Sequence, residues 1–135
     1  MKEKTKGIIL SVVVIISLIT IFIHQPIEIK RDIFNNTRHK NDEIQLIMNE
    51  AVDFISQDGI TVTRVHYDGK ESQETENRLI NDYGYQDAIV VYLEFHTGFF
   101  NIPSGFIGSY HASGYQYVCI KNNQGIWELH SVGYG

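Results

Sequence analysis

The sequence predicts an α+β fold: an N-terminal transmembrane helix, then a curved antiparallel sheet of about four strands packed on a long helix. Three observations carry this reading. Residues 7–23, GIILSVVVIISLITIFI, hold no charged side chain. Residues 41–59, NDEIQLIMNEAVDFISQDG, place apolar side chains at helical spacing. Most of the remaining chain reads as β-rich runs of period two, punctuated by glycine and asparagine.

The apolar run, at ~1.5 Å per helical residue, spans roughly 25 Å, close to the ~30 Å hydrocarbon core of a bilayer. With flanking residues it makes an anchor over residues 7–25. A cleaved signal peptide is the alternative, but FIHQPIEIK, which follows the run, offers no pair of small residues in the A-x-A pattern. Lys2, Lys4 and Lys6 precede the span and favour an N-terminus on the inside. Residues 1–6 are therefore expected to be a cytoplasmic tail, residues 26–41 a stalk, and residues 42–135 an extracytoplasmic domain of a single-pass membrane protein. The one cysteine, Cys119, permits no internal disulfide and lies far from any N-terminal lipid-attachment site.

Sixteen acidic residues against eleven lysines and arginines give a net charge of −5. The excess is concentrated between Asp42 and Glu94, where only Arg64, Lys70 and Arg78 are basic. A field of that sign opposes binding to nucleic acid or anionic headgroups.

Within the domain, Ile44, Ile47, Met48, Ala51, Val52 and Ile55 form one helical face, with Asn41 as N-cap and Gly59 as the stop. ITVTRVHY then alternates, Ile60, Val62, Arg64 and His66 on one side and Thr61, Thr63, Val65 and Tyr67 on the other, before a turn at DG. A second helix is expected over residues 72–83, capped by Ser72, stopped by Gly84 and polar on all sides in its first half. In DAIVVYLEFHTG both alternating faces are apolar, the mark of a central strand. Residues 115–121 and 126–132 flank NNQG and read as a closing hairpin.

The combination of an N-terminal helix, GITVTRVHYD, an acidic second helix, DAIVVYLEF and a closing NNQGIWELHSVGYG resembles small exported or membrane-anchored bacterial domains of the type labelled domain of unknown function 4829. The resemblance covers about residues 42–135 and implies a cystatin-like or NTF2-like superfold, in which a curved sheet wraps a long helix. It implies no catalytic residues.

The candidate surface is the glycine-rich stretch HTGFFNIPSGFIGSYHASGY. Phe99, Phe100, Ile102, Phe106 and Ile107 lie in a segment whose glycines and Pro103 rule out a regular strand. They either fold back over an open end of the sheet or form an exposed apolar rim of the kind that marks interaction sites. A second set is polar: Glu94-x-His96 and Glu128-x-His130 each point to one side of a strand, and would meet as a divalent-metal set if those strands were neighbours in register. An acid–base cone would need Tyr92, Glu94 and His96 on its pocket side. Cys119, between Val118 and Ile120, reads as a buried small residue, and Trp127 as a packing aromatic. No catalytic, metal or cofactor motif stands out. The expectation is a non-enzymatic binding module with an unidentified protein partner, accessory to an envelope or surface complex. A small-molecule or enzymatic cone, and an immunity-like or assembly factor acting through its membrane segment, are the alternatives.

Overall fold

The computed structural model describes residues 27–100 and 102–135. Five strands and two helices follow one another as β1 (Lys30–Phe34), α1 (Asn41–Ile55), β2 (Ile60–Asp68), α2 (Gly69–Asn81), β3 (Asp87–Thr97), β4 (His111–Lys121) and β5 (Trp127–Gly133). All five strands join one sheet in sequence order, β1-β2-β3-β4-β5.

The sheet is mixed, which corrects the expectation of about four antiparallel strands. β1 pairs parallel to β2, from Lys30 opposite Arg64 to Phe34 opposite Asp68, while the other three pairings are antiparallel. A parallel pair needs a crossover between its strands, and α1 supplies it. The short strand is held by its side chains as well as its ladder: Asp32 lies 3.0 Å from the Arg64 Nε, and Asn35 Nδ2 donates to Asp68 Oδ1 at 2.9 Å. Among the described residues no helix is long and apolar enough to cross a membrane. The segment expected to do so, residues 7–25, lies outside them.

The two helices cover opposite faces of the sheet. Ile44, Ile47, Met48, Ala51, Val52 and Ile55 of α1 pack with Ile89, Val91, Leu93 and Phe95 of β3, Val65 and Tyr67 of β2, and Cys119 of β4. The alternate β3 residues Ala88, Val90 and Tyr92 pack with Leu79 of α2 and with Val118 and Ile120 of β4. Burial on both sides explains why β3 is an unbroken apolar run. The second helix thus departs from a sheet wrapped around a single helix.

Its start also differs from the sequence reading. Asp68, not Ser72, is the N-cap, its carboxylate accepting from the Lys70 N–H at 2.9 Å. Gly69 follows because the β1–α1 connection presses on it: a Cβ there would meet the Asn35 carbonyl oxygen at 2.3 Å. The DG read as a turn is therefore a helix start. Ser72 and Glu76, expected at the surface, are 0% and 1% exposed, in one stripe with Leu79.

Three bulges reset which residues face which way. Thr63 is an extra residue against β3, since Val62 pairs with Phe95 and Arg64 with Glu94. It shifts the alternation so that Ile60, Val62, Val65 and Tyr67 all enter the α1 core. Between Leu93 opposite Tyr115 and Phe95 opposite Ala112, Ser113 and Gly114 together face Glu94, with Gly114 at φ +69. His130 is the extra residue in β5, between Leu129 opposite Cys119 and Ser131 opposite Val118.

Packing of α1 makes a direct prediction for unfolding in urea. Ile47→Ala, at a site that is 0% exposed, should cost about 2–5 kcal/mol. Leu46→Ala, half exposed on the same helix, should change stability by less than about 0.5 kcal/mol. A larger loss for Leu46→Ala than for Ile47→Ala would mean that the other face of α1 is the packed one.

Candidate functional site

Two places in the domain gather side chains whose chemistry exceeds simple packing. One is a buried polar hub and the other an aromatic pocket under the glycine-rich loop.

The hub forms where β2 leaves the sheet. Pairing of β2 with β3 ends at His66 opposite Tyr92, and the chain then turns into α2. Val90, two residues along β3, has no strand partner there for its N–H, which donates instead to Glu76 Oε1 at 3.2 Å. The other oxygen, Oε2, lies 3.1 Å from His39 Nε2, 3.5 Å from the Tyr67 hydroxyl and 3.9 Å from Arg38 Nη1. On the far side of the imidazole, Nδ1 sits 3.4 Å from Asp87 Oδ2, an ion-pair distance without good hydrogen-bond alignment. The His39 and Glu76 side chains are 0% and 1% exposed.

Burial by itself disfavours a charged imidazole, but contacts with Asp87 and Glu76 outweigh it and His39 is raised from its ordinary value of 6.5 to about 9. Asp87 is held below its ordinary value because the His39 contact and the Ala88 N–H outweigh the burial that opposes its charge. Burial and the neighbouring Glu76 carboxylate push Tyr67 up to about 12, so it stays a neutral donor. At neutral pH the hub therefore holds an imidazolium between Glu76 and Asp87. Immediately outside it lies a cleft of about 260 Å³ whose lining includes Arg38, Lys70, Gln73 and Glu76.

The aromatic pocket forms at the opposite end of β3. Thr97, 5% exposed, clamps the loop that follows: its N–H donates to the Tyr110 carbonyl and its hydroxyl accepts from the Tyr110 N–H, both at 2.9 Å. The same hydroxyl donates to the Ile107 carbonyl. Ser109 N–H to Gly98 carbonyl, 3.0 Å, closes the base. Phe106 folds back and meets Phe95 edge-on at 5.7 Å between centroids, and Phe95 meets Tyr115 at 5.3 Å. Tyr115 in turn meets Tyr134 at 5.4 Å. Phe95, Phe106, Ile107, Tyr110, Tyr115 and Tyr134, with Gly105, enclose about 280 Å³.

The five residues singled out in the loop thus divide. Phe106 and Ile102 are half-buried, Ile102 against Gly108. Phe99, Phe100 and Ile107 stay out in solvent at 81%, 83% and 72% exposed. The polar set does not assemble. β4 separates β3 from β5, and the bulge at His130 breaks the alternation that would align it with Glu128. Glu94 pairs with Arg64 at 3.1 Å, Glu128 accepts from Asn122, and His130 stands edge-on to Tyr85. His96 instead meets His111 across the β3–β4 ladder.

Phe95 faces the pocket, so its neighbours Glu94 and His96 point to the other side of the sheet. Cys119 is fully buried, and burial pushes its thiol up to about 12. Trp127 is half-buried under the Lys121 ammonium, 4.6 Å from its centroid. No group of three or more His, Cys, Asp or Glu side chains placed to hold a metal ion occurs among the described residues.

Sequence reasoning missed both the hub and the tyrosines of the pocket. The one available signal for Glu76 was its position in the stripe Ser72, Glu76, Leu79, spaced i, i+4, i+7. No family model matches the chain, and no curated protein or solved structure matches it either.

The hub predicts how stability varies with pH. His39 has a higher pKa folded than unfolded, so its contribution is complete below about 6.5 and is lost as pH rises through about 9. The loss should be on the order of 3 kcal/mol. Urea unfolding of the native chain at pH 6 and pH 9.5 should show it, and His39→Gln should be weaker at pH 6 and nearly flat between the two. Parallel profiles for the two proteins would assign the pH dependence to other groups.

Proposed function

We propose that this domain is a non-enzymatic binding module, held outside the cytoplasm by the uncharged apolar run of residues 7–25, that engages a protein partner through its aromatic loop. The observation that carries the reading is an aromatic pocket lined in part by the exposed Ile107, together with two further exposed phenylalanines, Phe99 and Phe100, in the same loop. Such side chains cost free energy when left in water, and contiguous exposed apolar surface marks interaction sites. At about 280 Å³ the pocket is at or below the small end of drug-sized ligand sites, and suits one or two apolar side chains of a partner. The clamped base of the loop presents these groups without a large ordering cost on binding.

The tyrosines add hydrogen-bonding edges to an apolar floor, the composition found at interface hot spots. Tyr134 is pushed up to about 12, by burial first and then by its contact with Tyr110, so it stays neutral. The net charge of −5 directs the module away from nucleic acid. Placement in an envelope or surface assembly fits such a domain on a membrane tether.

Site-specific photocrosslinking in the native cell tests this reading. A photoreactive residue in place of Phe100 should yield a discrete protein adduct, and the same residue at exposed Glu74 of α2 should not. The adduct from position 100 should disappear when Tyr115→Ala empties the pocket floor. Absence of an adduct at position 100, or the same adducts from both positions, would overturn the proposed interface.

A further inference from the structure

We infer that His96 and His111 form a bis-imidazole site for a borderline divalent transition metal, with copper(II) preferred, nickel(II) next and zinc(II) weaker. This inference is independent of the proposed partner interface. The two residues are directly opposite in the β3–β4 ladder, and residues so placed project from the same face. Both are exposed. Their Nδ1 atoms lie 3.0 Å apart, and the ring centroids 4.5 Å apart with planes inclined by 39°.

Two features fix that alignment. The bulge of Ser113 and Gly114 against Glu94 sets the register that brings His111 opposite His96 rather than one residue out. Thr97 and Tyr110, the adjoining residues, are tied by two hydrogen bonds of 2.9 Å, which hold the strands together where the imidazoles meet.

The spacing selects the metal. With metal–nitrogen bonds of about 2.0–2.1 Å, two nitrogens 3.0 Å apart subtend about 90–97° at the ion. That is the angle between adjacent ligands in square-planar or octahedral coordination; a tetrahedral site would need about 3.3–3.4 Å. Tetragonal nitrogen coordination belongs to copper(II) and nickel(II), and copper(II) heads the general affinity order.

In the metal-free protein one Nδ1–H donates to the other Nδ1. For neutral rings, metal entry requires only that the donor ring move its proton to Nε2, after which both Nδ1 lone pairs are free. A small rotation about Cβ–Cγ that keeps the two nitrogens near their 3.0 Å separation aims both lone pairs at one ion, and no net proton leaves. The remaining positions of the ion face solvent and take water. Bound metal would staple β3 to β4 at the base of the aromatic loop.

The test is titration of the full-length chain with copper(II), read by electron paramagnetic resonance and by competition with a chromogenic chelator. The native chain should bind one ion whose spectrum shows two imidazole nitrogens. His96→Asn and His111→Asn should each lose that spectrum and at least about tenfold in affinity, with circular dichroism unchanged, while His130→Asn keeps both. Retention of the two-nitrogen site in either single variant would overturn the assignment, as would equal loss in His130→Asn. Zinc(II) binding as tight as copper(II) would overturn the choice of metal.

Discussion

The structure depends on a buried charge pair. Glu76 and His39 sit where β2 and β3 part, a place that leaves the Val90 N–H of the central strand without a ladder partner. An unpaired backbone donor in a dry interior costs about 1–3 kcal/mol, and an unpaired carboxylate far more. One carboxylate meets both needs: an oxygen for Val90 and an oxygen for the imidazolium. Replacing it with an apolar side chain would orphan the N–H and leave His39 buried with only Asp87 for a partner. A buried pair is not in itself strong evidence for net stability. Its importance is positional, because α2, the β1–α1 connection and the first residues of β3 meet at it.

That constraint orders the rest of the fold. With Glu76 fixed, α2 lies along the β3 face that carries Ala88, Val90 and Tyr92, while α1 covers the other. Both faces of β3 are then closed from Ala88 to Leu93. From Val90 to Thr97 the strand runs roughly 24 Å at ~3.4 Å per residue, so the hub and the aromatic loop occupy opposite ends of one rigid element. This separation suits a module that recognises something. The end that exposes Phe99, Phe100 and Ile107 can vary without disturbing the end that holds the fold together, and loops on a stable scaffold are where recognition is usually placed.

Much of the architecture was legible because it is written in local periodicity. The α1 stripe, the doubly apolar β3 and the asparagine–glycine hairpin before β5 each declare themselves within a dozen residues. What escaped was non-local or one residue in size. β1 is five residues, KRDIF, with no apolar alternation of its own; it becomes a strand through pairing with β2 across α1. The bulges at Thr63 and His130 each invert a face assignment, and simple alternation cannot foresee an inserted residue. The loop aromatics were read only as either folded back or exposed, and the structure divides them, with Phe106 on Phe95 and Phe99 and Phe100 in solvent; the pocket also draws on Tyr134, which lies far along the chain from that loop. His39 carried no signal at all, since a lone histidine in a polar stretch looks the same whether it is solvated or sealed against a carboxylate.

The measurement that bears most directly on the buried pair is the protonation of His39 itself, followed by heteronuclear magnetic resonance of the ring nitrogens and carbons across a pH titration. The account predicts an imidazolium that persists through neutral pH and titrates near 9, in slow contact with solvent because the side chain is sealed. A His39 that titrates at or below its ordinary value of 6.5 would mean that burial dominates and that the carboxylates do not hold the charge. The hub would then be a neutral hydrogen-bond cluster, and the positions of α2 and β3 would need another cause.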